Sequence, residues 1–368
     1  MGSATLYHLA RRGTSVLGID QFSPGHTLGS SHGDTRIIRE LYFEHPLYVP
    51  LVQRAYDLWT DLEHASGSKL MTITGGLMIG PPDGAIVAGT LRSAETHRLP
   101  TEVLKPAEVH ERFPAFSLAS NLVAVLDPRA GFLDPEACNR AHIELAIAAG
   151  ADAQFNVRAL GWEADGDGVK VNTSAGEYFA DRLLVTAGAW TREMSALDLP
   201  LLVERQSIFW LDPAGDSPEY ELGRFPIYAY EYIAGEIVYG FPRQPRGVKA
   251  SIMHTGETAN SPDEIRRGVE LKEADPLREA LRPVLPGLAE APVRDLATCL
   301  FTNTPDRDFV IGFHPEHPQV LISSPCSGHG FKFASAIGEL QADLLATGST
   351  SFDLSPFSLS RFSSSARR

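Results

Sequence analysis

Gly2 and Asp20 bracket the stretch MGSATLYHLARRGTSVLGID, whose residue types suit the holding of a dinucleotide. A glycine at a helix start lets a pyrophosphate reach backbone N–H groups at the positive end of the helix dipole. An acidic residue ending the next strand suits a ribose hydroxyl, and Asp20 occupies that place. Gly2 fits only the last glycine of G-x-G-x-x-G, and the usual leading strand is not in the sequence. The reading therefore expects Met1 to be an internal methionine, preceded in the natural chain by roughly a dozen residues forming an apolar strand and a glycine turn. A second glycine turn, SGHG with Gly328, His329 and Gly330, leads into a helix and offers free N–H groups to an anion or an electron-rich ring. The Gly-, Ser- and His-rich loop GSSHGDTRIIR (29–39) has too little apolar periodicity in its first half to be an element, which suits ligand contact. Cys138, Cys299 and Cys326 are far apart, with no CxxC and no paired histidines, so neither a disulfide framework nor a zinc site is suggested. A lone cysteine is still free for chemistry.

The elements that must position these groups follow from periodicity. Ala4, Leu6, Leu9 and Ala10 form one apolar helix face, Arg11 and Arg12 sit in the last turn, and Gly13 ends it. TSVLGID reads as a strand. Leu51, Tyr56, Leu58, Trp59 and Leu62 recur at helical spacing, and LMTITGGLMIG alternates as one strand. FLDPEACNRAHIELAIAAGADAQFN is a helix with Asp134-Pro135 at its start and Gly150 at its end. GVKVNTSAGEYFADRLLVTAGAW is a hairpin feeding a buried strand that stops at Gly188. From Leu201 to His254 aromatic-rich strands suggest an antiparallel sheet. SPDEIRRGVELKEADPLREALRPVLP reads as helical, and the segment from Gln319 to Gly348 as strand, glycine turn and long helix. The order implies an α/β (α+β) fold: a Rossmann-like domain built from both ends of the chain, interleaved with a mostly antiparallel β-sheet substrate domain.

A chain of 368 residues with 43% hydrophobic content can bury a large core in two lobes. Its formal net charge of −14 and lack of a basic run argue against nucleic acid or an anionic membrane surface. Apolar stretches such as LLVTAGAW are too short to span a bilayer, and no signal-peptide pattern opens the sequence. The expectation is a cytoplasmic protein with a small-molecule partner and no metal.

Three stretches, GSSHGDTRIIR (29–39), VYGFP with KASIMH (238–254), and TCLFTNTPDRDFVIGFHPEH with SGHGFKF (298–333), carry a resemblance. They resemble the monomeric sarcosine oxidase and N-methyltryptophan oxidase family of FAD-dependent amine oxidases, and the likeness runs to FDLSPFSLSRF near the C-terminal end. The resemblance implies FAD held covalently through Cys299, and an FAD-binding domain over 1–80, 135–200 and 290–368. The substrate domain takes 81–134 and 201–289. Gly2, Asp20, His32, Gly33, Arg36, Gly188, Gly328, His329, Gly330 and Lys332 are expected on the FAD side. Arg39 and Lys332, drawn inward by apolar neighbours, resemble the pair that holds the substrate carboxylate. Tyr239 and His254 resemble pocket residues near the substrate amine. Lys249 resembles the lysine that promotes reaction with O2, although its spacing to His254 is one residue longer than the family pattern. Ser31 stands where sarcosine oxidases have a second histidine, which leaves the substrate open. The implied reaction is oxidation of a secondary-amine amino acid by O2 to an imine, then amino acid and formaldehyde, with hydrogen peroxide released, by a monomer. Alternatives are a pipecolate or cyclic imino acid oxidase, a dehydrogenase using a carrier, and a non-catalytic flavin-binding subunit.

Overall fold

The computed structural model describes residues 1–213, 215 and 217–362. Helix α1 (Gly2–Arg11) buries Ala4, Leu6, Leu9 and Ala10 as the spacing requires. The chain continues through β1 (Leu17–Asp20), β2 (Arg36–Ile38), α2 (Val49–Ser66), β3 (Met71–Ile73), β4 (Gly76–Gly80), α3 (Ala85–His97), β5 (Glu102–Leu104), α4 (Pro106–Arg112), β6 (Val123–Asp127), β7 (Gly131–Leu133) and α5 (Pro135–Ala148). Next come β8 (Asp152–Phe155), β9 (Ala159–Asp165), β10 (Gly168–Thr173), β11 (Gly176–Ala180), β12 (Leu183–Val185), α6 (Thr191–Met194), β13 (Leu202–Leu211), β14 (Ile227–Ile233), β15 (Glu236–Gly240), β16 (Val248–Ile252) and β17 (Thr258–Ala259). The last elements are α7 (Asp275–Leu281), α8 (Pro286–Ala289), β18 (Val293–Asn303), β19 (Val310–Phe313), β20 (Val320–Ser324) and α9 (Ala334–Thr347).

Short parallel pairs, β1 with β8 and β12 with β20, are the Rossmann-like part, and their strands come from both ends of the chain. Helix α1 packs between α5 and α9. The crossing with α9 is so close that a Cβ on Gly338 would stand 2.5 Å from the Ala4 Cβ, and only glycine fits there. The second part is a nine-stranded sheet ordered β17-β13-β16-β15-β14-β4-β6-β5 with β18 beside β13; within it only β14 and β4 run parallel. Its strands include 76–80 and 293–303, so the sheet reaches past the expected boundaries at 81 and 289. One apolar core lies among α1, α2, α5 and α9, and a second lies under the large sheet against α7 and α8. A third fills the space between that sheet, α3 and β7.

Two local expectations differ from the structure, and two helices had none. LMTITGGLMIG divides at Thr74-Gly75 into β3 and β4, because Gly75 takes φ +72 and turns the chain between two sheets. The expected long helix after Ser261 shrinks to 3-10 turns at Pro262–Glu264 and Leu271–Ala274 followed by α7. Proline sits inside that run at 276 and 283, and the Glu273 side chain turns back to accept from Arg205 and Ser207. Helices α3 and α4 lay in a stretch with no assigned pattern. No helix among the described residues is long and apolar enough to cross a membrane.

Candidate active site

A cavity of about 910 Å³ runs between the Rossmann-like part and the large sheet. Gly2, Asp20 and Gly188, then Gly328, His329 and Gly330, and Arg39, Tyr239 and Lys332 are among the residues that line it. The start of α1 has no side-chain cap, so its first N–H groups are left for a ligand. A Cβ on Gly2 would come 2.8 Å from Thr186 Oγ1, and one on Gly328 would come 2.9 Å from the Phe301 ring. Bare backbone is what these walls admit.

Cys299 lies on β18 opposite Gln206, buried, and is one of the residues lining the cavity. Arg36 donates from Nη2 to Cys299 Sγ at 3.3 Å and to the Ser30 carbonyl at 2.6 Å. His32, Gly33 and Lys249 do not line the cavity. Lys249 is 1% exposed, and its Nζ donates to the carbonyls of Gly33 (2.6 Å) and Thr35 (2.7 Å) and to Thr35 Oγ1 (3.1 Å). Three oxygens thus meet the three N–H bonds of an ammonium. Burial and the nearby Arg36 push the lysine pKa down, while Asp34 and Glu136 oppose that shift. His32 Nε2 is buried without a protein partner, and burial, with Arg36 and Lys249, holds the ring neutral by lowering its pKa to about 3.

Arg39 is 3% exposed and stacks over Phe43 at 4.0 Å and Tyr42 at 4.2 Å. Its Nη2 holds the carboxylate of Glu44 through both oxygens, at 2.6 Å for Oε1. Burial alone would raise the Glu44 pKa; Arg39, His329 and Lys332 outweigh it, and the carboxyl stays ionised. Glu44 was missed in the sequence, since a carboxylate five residues along an irregular loop from Arg39 leaves no periodic signal. Lys332 donates to the His329 carbonyl at 2.7 Å, and burial together with Arg39 brings its pKa down to about 7. His329 Nε2 donates to the Arg307 carbonyl at 3.0 Å, so its Nδ1 accepts from the Tyr42 hydroxyl at 2.5 Å. This pair fixes the SGHG turn and with it Lys332.

Tyr239 lies across the sheet from Ala229 and Ser251, and burial pushes its hydroxyl up to about 12. His254 does not line the cavity. Lys249, Ser251 and Met253 alternate along one face from β16, and the extra residue before the histidine puts Met253 at the cavity instead. His254 then takes φ +59, and its Nδ1 donates to Glu204 Oε2 at 3.0 Å. Glu204 also accepts from Asn303 at 2.6 Å and Gln206 at 2.8 Å. The histidine is held in a corner by a satisfied carboxylate.

A parallel-stranded nucleotide end, a sulfur beside a guanidinium and a wall carrying Arg39 and Lys332 suit an oxidoreductase with a dinucleotide cofactor. The family model described as FAD dependent oxidoreductase matches residues 1–344. A monomeric sarcosine oxidase from Streptomyces avermitilis is 39% identical over 362 residues, covering 97% of this chain and 94% of that one. An N-methyl-L-tryptophan oxidase from Escherichia coli O157:H7 is 37% identical over 368 residues, covering 98% and 96%. The chain belongs to the FAD-dependent oxidoreductases, in the group of flavoprotein amine oxidases acting on CH–NH bonds. Among solved structures the fold is similar to that of NikD, an unusual amino acid oxidase, with a TM-score of 0.83, 23% identity and coverage of 97% and 94%. The residues present fit FAD: the uncapped α1 start and the bare glycine walls leave room and hydrogen-bonding capacity on its side.

Proposed function

We propose that the chain oxidises a secondary-amine amino acid, sarcosine or another N-methyl amino acid, with O2 as electron acceptor. The N-methyl amine loses two electrons and two protons to become an imine, O2 takes both to become hydrogen peroxide, and water splits the imine into amino acid and formaldehyde. Bound FAD supplies the electron transfer between the two. Gly2, Asp20, Gly188 and Gly328 to Gly330 would hold it, and Cys299 would be its covalent anchor. The observation that carries the reading is the convergence of Arg39 and Lys332 on the part of the cavity where a carboxylate, that of Glu44, already sits.

Arg39 and Lys332 bind the substrate carboxylate, displacing Glu44, and so orient the carbon next to nitrogen. Ala229, Tyr239, Phe241 and Met253 exclude water around it. The two cations also favour the neutral amine, the form able to be oxidised. Lys249 provides a fixed positive charge that stabilises the negative charge developing on O2 as it is reduced. The name of the Streptomyces relative supports one chain as the working unit. Oxygen uptake and peroxide release on purified yellow protein test the whole reading; failure of every N-methyl and cyclic amino acid to consume O2 rejects it.

Two expected results arise here. Acid-precipitated protein should stay yellow while Cys299→Ser releases its flavin to the supernatant; free FAD from the unmutated protein rejects the covalent link. The second concerns Lys332, which binds a carboxylate best when charged and whose pKa lies near 7. Affinity for an amine-free carboxylate such as acetate should be greatest below pH 7 and fall by up to about tenfold per pH unit above it, because binding must then take up a proton. Titrations of Lys332→Met should lose this slope, and an unchanged slope would move the titrating group elsewhere.

A further inference from the structure

Glu136, in the first turn of α5, has no place in the chemistry above, yet its carboxylate reaches back about a hundred residues in sequence. Its Oε1 accepts from the Gly33 N–H at 2.6 Å and sits 3.4 Å from the Asp34 N–H. Those two peptides form a tight turn, in which the Thr35 N–H donates to the Gly33 carbonyl at 2.8 Å. Such an i to i+2 turn with positive φ at its centre is rare and strained. The centre is Asp34, a residue with a Cβ, at φ +67, and Gly33 beside it is at φ +93. A Cβ on Gly33 would meet Ile208 at 3.0 Å, so the turn is pressed against the large sheet from below. The carbonyls that this turn projects, those of Gly33 and Thr35, are two of the three acceptors around Lys249 Nζ.

We propose that Glu136 is a positioning residue for Lys249: by gripping the Gly33 N–H it holds the strained turn whose carbonyls seat the lysine ammonium. The groups facing that ammonium are Arg36, Asp34, Glu136, His32, the Cys299 sulfur and the rings of Trp210 and Phe241. Asp34 and Glu136 are the anions among them. The Asp34 side chain is directed outward to Arg246 at 3.5 Å, which leaves Glu136 as the carboxylate bonded to the turn itself. The functional weight of this arrangement rests on the reading of Lys249 as the cation for O2 reduction.

The test is acetylation of Lys249 in the folded holoenzyme, read by mass spectrometry, beside the rate at which O2 reoxidises the reduced enzyme. The unmutated protein should resist labelling. Glu136→Ala should label at least about tenfold faster, the effect of losing one hydrogen bond to a charged group. Glu136→Gln keeps an acceptor for the Gly33 N–H and should label nearly as slowly as the parent. Asp34→Gly placed in the Glu136→Ala background should restore protection, because glycine adopts positive φ without the grip. Unchanged labelling in Glu136→Ala overturns the proposal, and so does failure of Asp34→Gly to restore protection, which would mean general loosening. If labelling follows this pattern but reoxidation does not, Glu136 still positions Lys249, and it is the role of Lys249 in O2 reduction that falls.

Discussion

Replacing Arg39 with alanine is expected to raise KM for an N-methyl amino acid at least about tenfold, and Lys332→Met should do the same. Charge-assisted hydrogen bonds to a desolvated carboxylate are worth on the order of 1.5–3 kcal/mol each, which sets the lower bound. The amide of the same substrate should lose much less, since it offers no anion; equal losses for acid and amide would mean that neither side chain meets the carboxylate. Glu44 sharpens the test. Because its carboxylate already occupies Arg39 through both oxygens, Glu44→Gln should leave the guanidinium easier to win and lower KM for the acid without changing that for the amide. Steady-state kinetics on the two substrates across these variants decide the matter.

Lys249→Met should slow reoxidation of the reduced enzyme by O2 roughly a hundredfold to a thousandfold, the usual cost of removing a preorganised group that stabilises developing charge. Anaerobic reduction by substrate should change far less, because no new negative charge develops beside Lys249 in that half. Stopped-flow traces of the two half-reactions separate these outcomes, and an unchanged oxidative rate would shift attention to Arg36. Methionine fills similar volume, so the core around Trp210 and Phe241 stays packed.

The parts of the molecule legible in the sequence are those governed by local rules. Ala4, Leu6, Leu9 and Ala10 announced α1, and Asp134-Pro135 announced α5, whose Asp134 side chain accepts from the Ala137 N–H at 2.8 Å. The sheet order was not legible, because β4 finds β14 about 150 residues later and no local pattern encodes that partnership. At the site, Arg39 and Lys332 were singled out by the family resemblance, and their apolar neighbours added that both turn inward. Glu136 and Glu204 could not, since each looks solvent-facing until a distant donor is brought to it, and Glu44 could not because the irregular loop between it and Arg39 has no periodicity to pair them. His254 shows the reverse failure. The family resemblance put it at a pocket, but one added residue changed the face of the strand on which it emerges.

The close crossing of α1 and α9 bears on how the protein is made. Helix α1 is synthesised long before α9, yet the surface that buries Ala4 and Leu6 includes residues 334–347, more than 320 positions later. At ribosomal speeds of about 5–20 residues per second, its apolar face waits on the order of half a minute for its partner. Cys299 and Lys332 emerge just as late, so a nascent chain has a nearly complete large sheet but no closed cofactor chamber. Chains released early should therefore be colourless, sticky and dependent on chaperones, and yellow colour becomes a report that translation ran to the end.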